Sequence, residues 1–490
     1  MRPPRRTRPL FDVAQLAARA RKDEELLETL LRVYGYYEGE VIRTIGTRRA
    51  GEDSADRRPR VRFDVIPGER YRFGAIDLGA LATAPDAATR DATLRNSLPG
   101  SFAVIPAETF QNSRAFSIGD MIATVIQTGS DNSSDVTQLN RQQTATVDQS
   151  GDNGTSIVFQ QGRRNFATLD QAGTDNVSII DQDGGPASGG IGQEAFVTQS
   201  GIGNTSDIFQ AGRNPGQPND GINYAEVFQD GSDDEAVITQ IDQARSDEAY
   251  ISQSATSTSY AEVFQSGDEV GGAPDTDNVA DISQANGSDN FSFVNQGDTT
   301  FFGGNVGGAT NAFAQNIQDG SDLSSDIIQG GDASEAFVVQ GASDNESLVI
   351  QGDFGGSGGL AFVGQAGTNG LSLVFQNSDL SQVFVAQISG DNNFSAVDQG
   401  FANGAGAGAD GNFARVSQEG DNNSSEITQN LLDVGGGNIA DVLQENGGNL
   451  SSIIQEGSTN SATVSQYDGS TSFVTQDGTG NVVTVTQGTP

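Results

Sequence analysis

The 490-residue chain carries 26 basic and 65 acidic residues, no histidine and no cysteine, for a formal charge of −39. Disulfides and thiol chemistry are excluded, and with no imidazole and no convergent carboxylate pair outside the turns there is no evident general base or nucleophile. Residues 1–72 hold 17 of the basic residues against 12 acidic ones, so residues 73–490 keep 9 basic against 53 acidic, a poor balance for gripping nucleic-acid phosphates.

Residues 1–10 are expected to be a disordered basic tail. The N-terminus lacks the uninterrupted apolar stretch of a secretory signal. No run of 18 apolar residues occurs anywhere, so no transmembrane helix is expected. Residues 11–33 predict one or two helices, with Leu26, Leu27, Leu30 and Leu31 at helical spacing after Asp23, Glu24 and Glu25. Alternation then predicts strands at Val41–Ile45, Val61–Val65 and Tyr71–Ile76, with a turn at Pro67-Gly68. The run GYYEGEV after the helix, and VRFDVIPGERYRFGAIDL, make residues 11–80 resemble a POTRA domain, the small α+β module in front of outer-membrane barrel assembly proteins. That resemblance implies peptide recognition by strand addition, or a folded appendage without that activity. Residues 81–117 read as a linker.

From residue 118 onward glutamine recurs on an eleven-residue beat. Gln127, Gln138, Gln149, Gln160, Gln171 and Gln182 are evenly spaced, and the beat returns at Gln318, Gln329, Gln340 and Gln351. A fixed period decides the architecture before any single residue does. Six intervals, starting at Gln127, Gln160, Gln171, Gln199, Gln418 and Gln455, fit Q-x-G-x-x-N-x-[AS]-x-x-x-Q completely. The Asn, the small residue, the aliphatic and the next Gln share a parity, so on a strand they face one side. Runs such as Ser150-Gly151-Asp152-Asn153 supply the turn.

Buried amides are costly unless hydrogen-bonded. Stacking like units satisfies them, each amide donating to the equivalent amide on the next layer, as in cross-β ladders. The expected ladder positions are Gln127, Asn132, Gln138, Gln149, Gln160, Asn165, Gln171, Asn176, Gln182, Gln199, Asn204, Gln210, Gln418, Asn423, Gln429, Gln455, Asn460 and Gln466.

The irregular intervals sharpen the unit. Enlarged spacings follow Gln182, Gln210, Gln240, Gln265, Gln296, Gln351, Gln399 and Gln429. Counted from Gln127, all of these are even-numbered glutamines. Long insertions such as 184–192 and 401–411 therefore fall always in the same one of two turns. The expected fold is all-β: a two-sheet β-solenoid of about 14 turns of 22 residues, roughly 70 Å long at about 4.8 Å per layer.

The consensus over residues 118–490 resembles the curlin repeat of bacterial curli fibre subunits. The resemblance implies an extracellular or cell-surface protein that self-associates into amyloid fibres for adhesion and biofilm matrix. It also implies curli-type secretion and nucleation proteins as partners, and host or abiotic surfaces as targets. No cofactor or metal is expected. An alternative is a monomeric acidic solenoid binding calcium or a surface ligand through the inserted edge, with Asp-rich turns such as Asp131 and Asp421 as cation donors. The repeat runs almost to Pro490 without a capping segment, and its acidity predicts assembly that speeds up with salt or acid.

Overall fold

The computed structural model describes residues 27, 40–46, 60–66, 113–116, 121–183, 192–211, 222–241, 246–266, 277–297, 309, 311–330, 333–352, 358–377, 379–400, 411–430 and 436–489. The chain forms two compact units, residues 1–93 and 94–490.

In the first unit Glu40–Gly46 pairs antiparallel with Arg60–Ile66, Glu40 opposite Ile66 and Gly46 opposite Arg60. These strands contain the alternating runs Val41–Ile45 and Val61–Val65. The basic tail, the third strand at Tyr71–Ile76 and, apart from the single helical residue Leu27, the helices at 11–33 lie outside the described residues.

The second unit is a solenoid. Two parallel sheets of fifteen strands each are laid down alternately, so strands adjacent in space are one full turn apart in sequence. The first sheet runs from Ile122–Gln127 to Val482–Gln487, and the second from Ser113–Phe116 to Thr471–Thr479. The second sheet begins before the expected boundary at 118, because Ser113–Phe116 pairs parallel with Ser134–Thr137. That strand has neither the glutamine nor the Gly-Asn turn of the repeat, so the spacing did not reveal it.

Pairing is in register. Ala167, Leu169 and Gln171 lie opposite Ala195, Val197 and Gln199, which lie opposite Ala225, Val227 and Gln229. The insertions do not disturb this, since every connection that lengthens leaves a second-sheet strand and enters a first-sheet strand, as between Asp183 and Glu194 or Gln399 and Phe413. The first-to-second turn stays tight. Its last residue before the inward Asn takes a left-handed backbone, at φ 56° for Asp131, 58° for Asp175, 57° for Asp344 and 57° for Asn422. Asp, Asn and Gly tolerate that conformation best, which explains the recurrent Asp-Asn and Asn-Asn pairs. The turn glycine has a second reason: a Cβ at Gly173 would lie 2.0 Å from the carbonyl oxygen of Gly201 on the next rung.

The core is thin and repetitive. Alternate residues such as Ala145, Val147, Ala167, Leu169, Ala195 and Val197 are essentially inaccessible, and their counterparts on the second sheet, Val136, Val158, Ile180 and Ile208, face them. Small and large residues alternate along each strand, so the two inner faces interdigitate.

Candidate functional site

The distinctive chemistry of this unit is in its interior, where amides share the core with aliphatics. All eighteen sequence-predicted positions, from Gln127 and Asn132 to Asn460 and Gln466, point inward and are buried. The glutamines and the asparagines are used differently.

The glutamines form two unbroken rows. In the first sheet Gln127 Nε2 donates to Gln149 Oε1 at 2.7 Å, Gln149 to Gln171 at 2.7 Å, and Gln171 to Gln199 at 2.7 Å. The row continues to Gln418, Gln444, Gln466 and Gln487. In the second sheet Gln138 donates to Gln160 at 2.8 Å, Gln160 to Gln182 at 2.8 Å, and Gln182 to Gln210 at 2.9 Å. That row passes Gln429 and Gln455 and ends at Gln476. Every link has the same polarity, Nε2 donating toward the C-terminal rung.

The remaining amide hydrogen crosses between sheets. Gln138 Nε2 donates to Ile122 O at 3.0 Å, Gln149 to Ser133 O at 3.2 Å, and Gln160 to Thr144 O at 3.1 Å. Each glutamine thus ties its own sheet along the axis and fastens the start of the facing strand. Sequence reasoning anticipated only the axial bond; a side chain with two donors at the end of a strand was the signal for the other.

The asparagines do not, in general, ladder side chain to side chain. Asn132 Nδ2 donates to Thr128 O at 2.8 Å within its own turn and to Gly151 O at 2.7 Å on the next rung, while its Oδ1 accepts from Gly154 N at 2.8 Å. Asn165, Asn176 and Asn204 follow the same scheme. Asn423 and Asn460 add an amide-to-amide bond, accepting from Asn449 and Asn481 at 3.0 Å each. The expectation of an Asn ladder like the Gln ladder is corrected on this point. Asparagine is one methylene shorter and sits where the turn enters the strand, so turn backbone is nearer than the next amide.

Register places Gln318, not Gln315, in the row; Gln315 faces outward and donates to Asp281 Oδ2 at 2.9 Å. The same strand carries a fault, since Asn316 takes the aliphatic position, fully buried between Ile282 and Val338. Its Nδ2 donates to Ser292 Oγ across the core, and its Oδ1 finds no partner.

The outer faces carry the acids. Burial pushes the carboxyl groups of Asp326, Asp398 and Asp181 up to about 6; Glu346 adds to this at Asp326, and Asp183 and Asp207 at Asp181. The turn acid Asp152 is already engaged, its Oδ1 accepting from both N and Oγ of Ser130. Among the described residues no group of three or more acidic side chains gathers to hold a metal ion, and no helix is long and apolar enough to cross a membrane.

Comparison with known proteins falls on the repeat itself. A family model, the Curlin associated repeat, matches residues 157–184. That stretch contains Gln160, Asn165, Gln171, Asn176 and Gln182, two complete intervals of the beat. No curated protein matches the chain. Neither comparison supports the POTRA-like reading of residues 11–80. Over the matched residues, the chain is similar to the curlin repeat, and its stacked interior shows what that spacing builds.

Proposed function

We propose that the chain is a structural subunit of curli type, which extends into extracellular fibres by adding the end rung of one copy to the end rung of another. The carrying observation is that the last rung offers the surface that every interior rung offers its neighbour. Among the described residues Val482–Gln487 pairs on one side only, with Ser461–Tyr467. Its Val483 and Val485 are still partly exposed, and Val482 and the neighbouring Phe473 are 75% and 72% exposed. An unpaired, in-register edge templates further pairing. The common polarity of the glutamine rows makes the contact head-to-tail, a heterologous contact that produces an open filament rather than a closed ring.

On this reading the amide rows continue from copy to copy, and the eighteen ladder positions serve stacking both within and between chains. Adhesion to host or abiotic surfaces, a place in biofilm matrix and delivery by curli-type secretion and nucleation proteins follow from the similarity to the curlin repeat. No catalytic role is assigned.

The test is assembly of the full chain, followed by thioflavin fluorescence and fibre diffraction. Fibres with a meridional spacing of about 4.8 Å are expected, forming faster as salt rises, because the acidic bodies repel one another. Thr484→Pro removes a backbone donor from the free edge, because outward residues donate toward the next rung as Ser461 N does to Asn481 O at 2.7 Å, and it leaves interior rungs untouched, so elongation should slow severely. A chain that stays monomeric at high salt, or elongation unaffected by Thr484→Pro, would overturn the proposal.

A further inference from the structure

The outer face of the first sheet carries an ordered pattern that the stacking function does not use. Over four rungs the two outward columns nearest the strand start read Phe166, Glu194, Tyr224, Glu248 and Thr168, Phe196, Glu226, Tyr250. The next rung adds Asp281 to the second column. Aromatics and carboxylates thus occupy alternate squares of a checkerboard. The rings form one zigzag file, with centroids 5.6 Å apart for Phe166–Phe196, 5.2 Å for Phe196–Tyr224 and 5.3 Å for Tyr224–Tyr250. Two carboxylates are held in place by ring hydroxyls: Tyr224 Oη donates to Glu226 Oε2 at 2.6 Å, and Tyr250 Oη to Glu248 Oε2 at 2.9 Å.

No outward position of the first sheet between Thr144 and Ser283 is basic. Elsewhere on the same face a guanidinium is answered within one rung: Arg415 Nε donates to Asp441 Oδ1 at 2.8 Å. That pair shows the engagement this lattice offers a cation, and the checkerboard offers it repeatedly with no basic outward residue of its own rungs to fill it. Glu226 and Glu248 each spend one oxygen on a tyrosine hydroxyl and Asp281 one on the Gln315 amide, which leaves the other for a guanidinium. Rings beside carboxylates also suit guanidinium groups through their faces.

The period selects the partner further. Like squares recur every second rung, about 9.6 Å along the axis at about 4.8 Å per rung. A polyproline II segment presents the same side every three residues, about 9.3 Å at about 3.1 Å per residue. A β-strand, repeating its face at about 6.8 Å, falls out of step within two squares. From the charge and the period we infer that this face binds an arginine-bearing, proline-rich segment in the polyproline II conformation, running along the solenoid axis with prolines on the rings and arginines on Glu194, Glu226, Glu248 and Asp281. Residues 1–10 of this sequence, with Arg2, Pro3, Pro4, Arg5, Arg6, Arg8 and Pro9, have that composition and supply the probe.

The experiment titrates a fluorescent peptide of residues 1–10 against the full chain, in which Arg2, Arg5, Arg6 and Arg8 are changed to Gln so that its own residues do not compete. Binding is read by anisotropy. The proline peptide should bind about fivefold tighter than one with the same arginines and alanine in place of proline. Glu226→Gln with Glu248→Gln should weaken binding about fivefold. Glu262→Gln with Glu426→Gln, on the outer face of the second sheet, should change it less than twofold. Circular dichroism and the melting profile verify that each variant keeps its fold, and fibre formation is scored separately, so failure of assembly and failure of this site are distinguishable. No binding at low salt, equal binding of the alanine peptide, or an equal loss from the second-sheet pair would overturn the inference, the last two reducing it to attraction by a polyanion.

Discussion

The inside and the outside of the solenoid obey different rules. Inward columns of the second sheet barely vary: Ser134, Val136, Gln138 lie under Ser156, Val158, Gln160 and then Ser178, Ile180, Gln182. The outward column between them runs Asp135, Ile157, Ile179, Asp207, Val237, Glu262. An inward amide needs the identical amide above and below it, so any change costs two neighbours as well as itself. An outward side chain has water as an alternative partner. Sequence uniformity here measures the lack of that alternative, and substitutions should cost according to which side they face.

The sharpest test compares two residues of one strand. Gln229→Leu strips Gln199 of its axial acceptor, Gln253 of its axial donor, and Thr205 O and Asp234 O of the amide that fastens them. With several buried groups left unpaired, the loss should reach about 4 kcal/mol. Glu226→Gln, three residues earlier and outward, should change stability by under about 0.5 kcal/mol. Denaturant midpoints, with hydrogen exchange of the adjacent rungs, measure both. Comparable losses would break the distinction.

The half-buried acids of the second sheet blur it in an informative way. The Asp326 carboxyl, between Phe293 and Leu348, is raised from 3.8 to about 6 by burial and then by Glu346. A carboxyl raised on folding disfavours its charged form, so its contribution is most favourable below pH 4. The contribution is lost as pH climbs through about 6. Asp326→Asn should therefore leave stability near pH 4 unchanged and raise it by about 2 kcal/mol at pH 8, after discounting for residual solvent. A stability difference independent of pH would show that the substitution acts through packing instead.

Much of the interior could be read from the sequence, because it repeats a local rule. Parity put Asn, the small residue, the aliphatic and Gln on one face, and the placement of insertions showed which turn is tight. What escaped depends on partners that no periodicity names. The second glutamine hydrogen goes to the facing sheet, as from Gln149 to Ser133 O. The asparagines turn to backbone rather than to one another, as Asn132 does. The checkerboard is invisible for another reason: Phe166, Phe196, Tyr224 and Tyr250 are separated by unequal insertions, and only the register of the folded rungs lines them up. Ser113–Phe116 follows no repeat and pairs only because a neighbouring edge is there.

A fault in the interior should be repairable by restoring its rule. Asn316 sits in an aliphatic column with an unpartnered Oδ1 and spends its amide on Ser292. Asn316→Val with Ser292→Ala continues the aliphatic column of Ile282 and Val338 on the first sheet and the alanine column of Ala236 and Ala261 on the second. It should add about 1.5 kcal/mol. Asn316→Val alone should add less, because Ser292 then loses its partner. A destabilised double variant would mean that the polar pair fixes register between the sheets.

The smallest expected effect lies at the boundary of inside and outside, in the residue that turns the chain inward. In the second-to-first turn Leu380 occupies this place at φ 53° and is 65% exposed, where other rungs carry Asp277, Asn311 or Gly411 but also Gln142, Arg164 or Ala333. A bulky side chain in the left-handed region is strained by about 1 kcal/mol, and its exposed apolar surface gains nothing in return. Leu380→Asn should stabilise the rung by about that amount, seen as slower amide exchange at Gln382 and Gly411, while Asp131→Leu, at the matching place of the first-to-second turn, should cost as much. If both substitutions proved neutral, the Asp and Asn before the inward turn residue would owe their place to solubility alone, and the tight turn would be held by the stacked glycines and side-chain amides rather than by its own backbone preference.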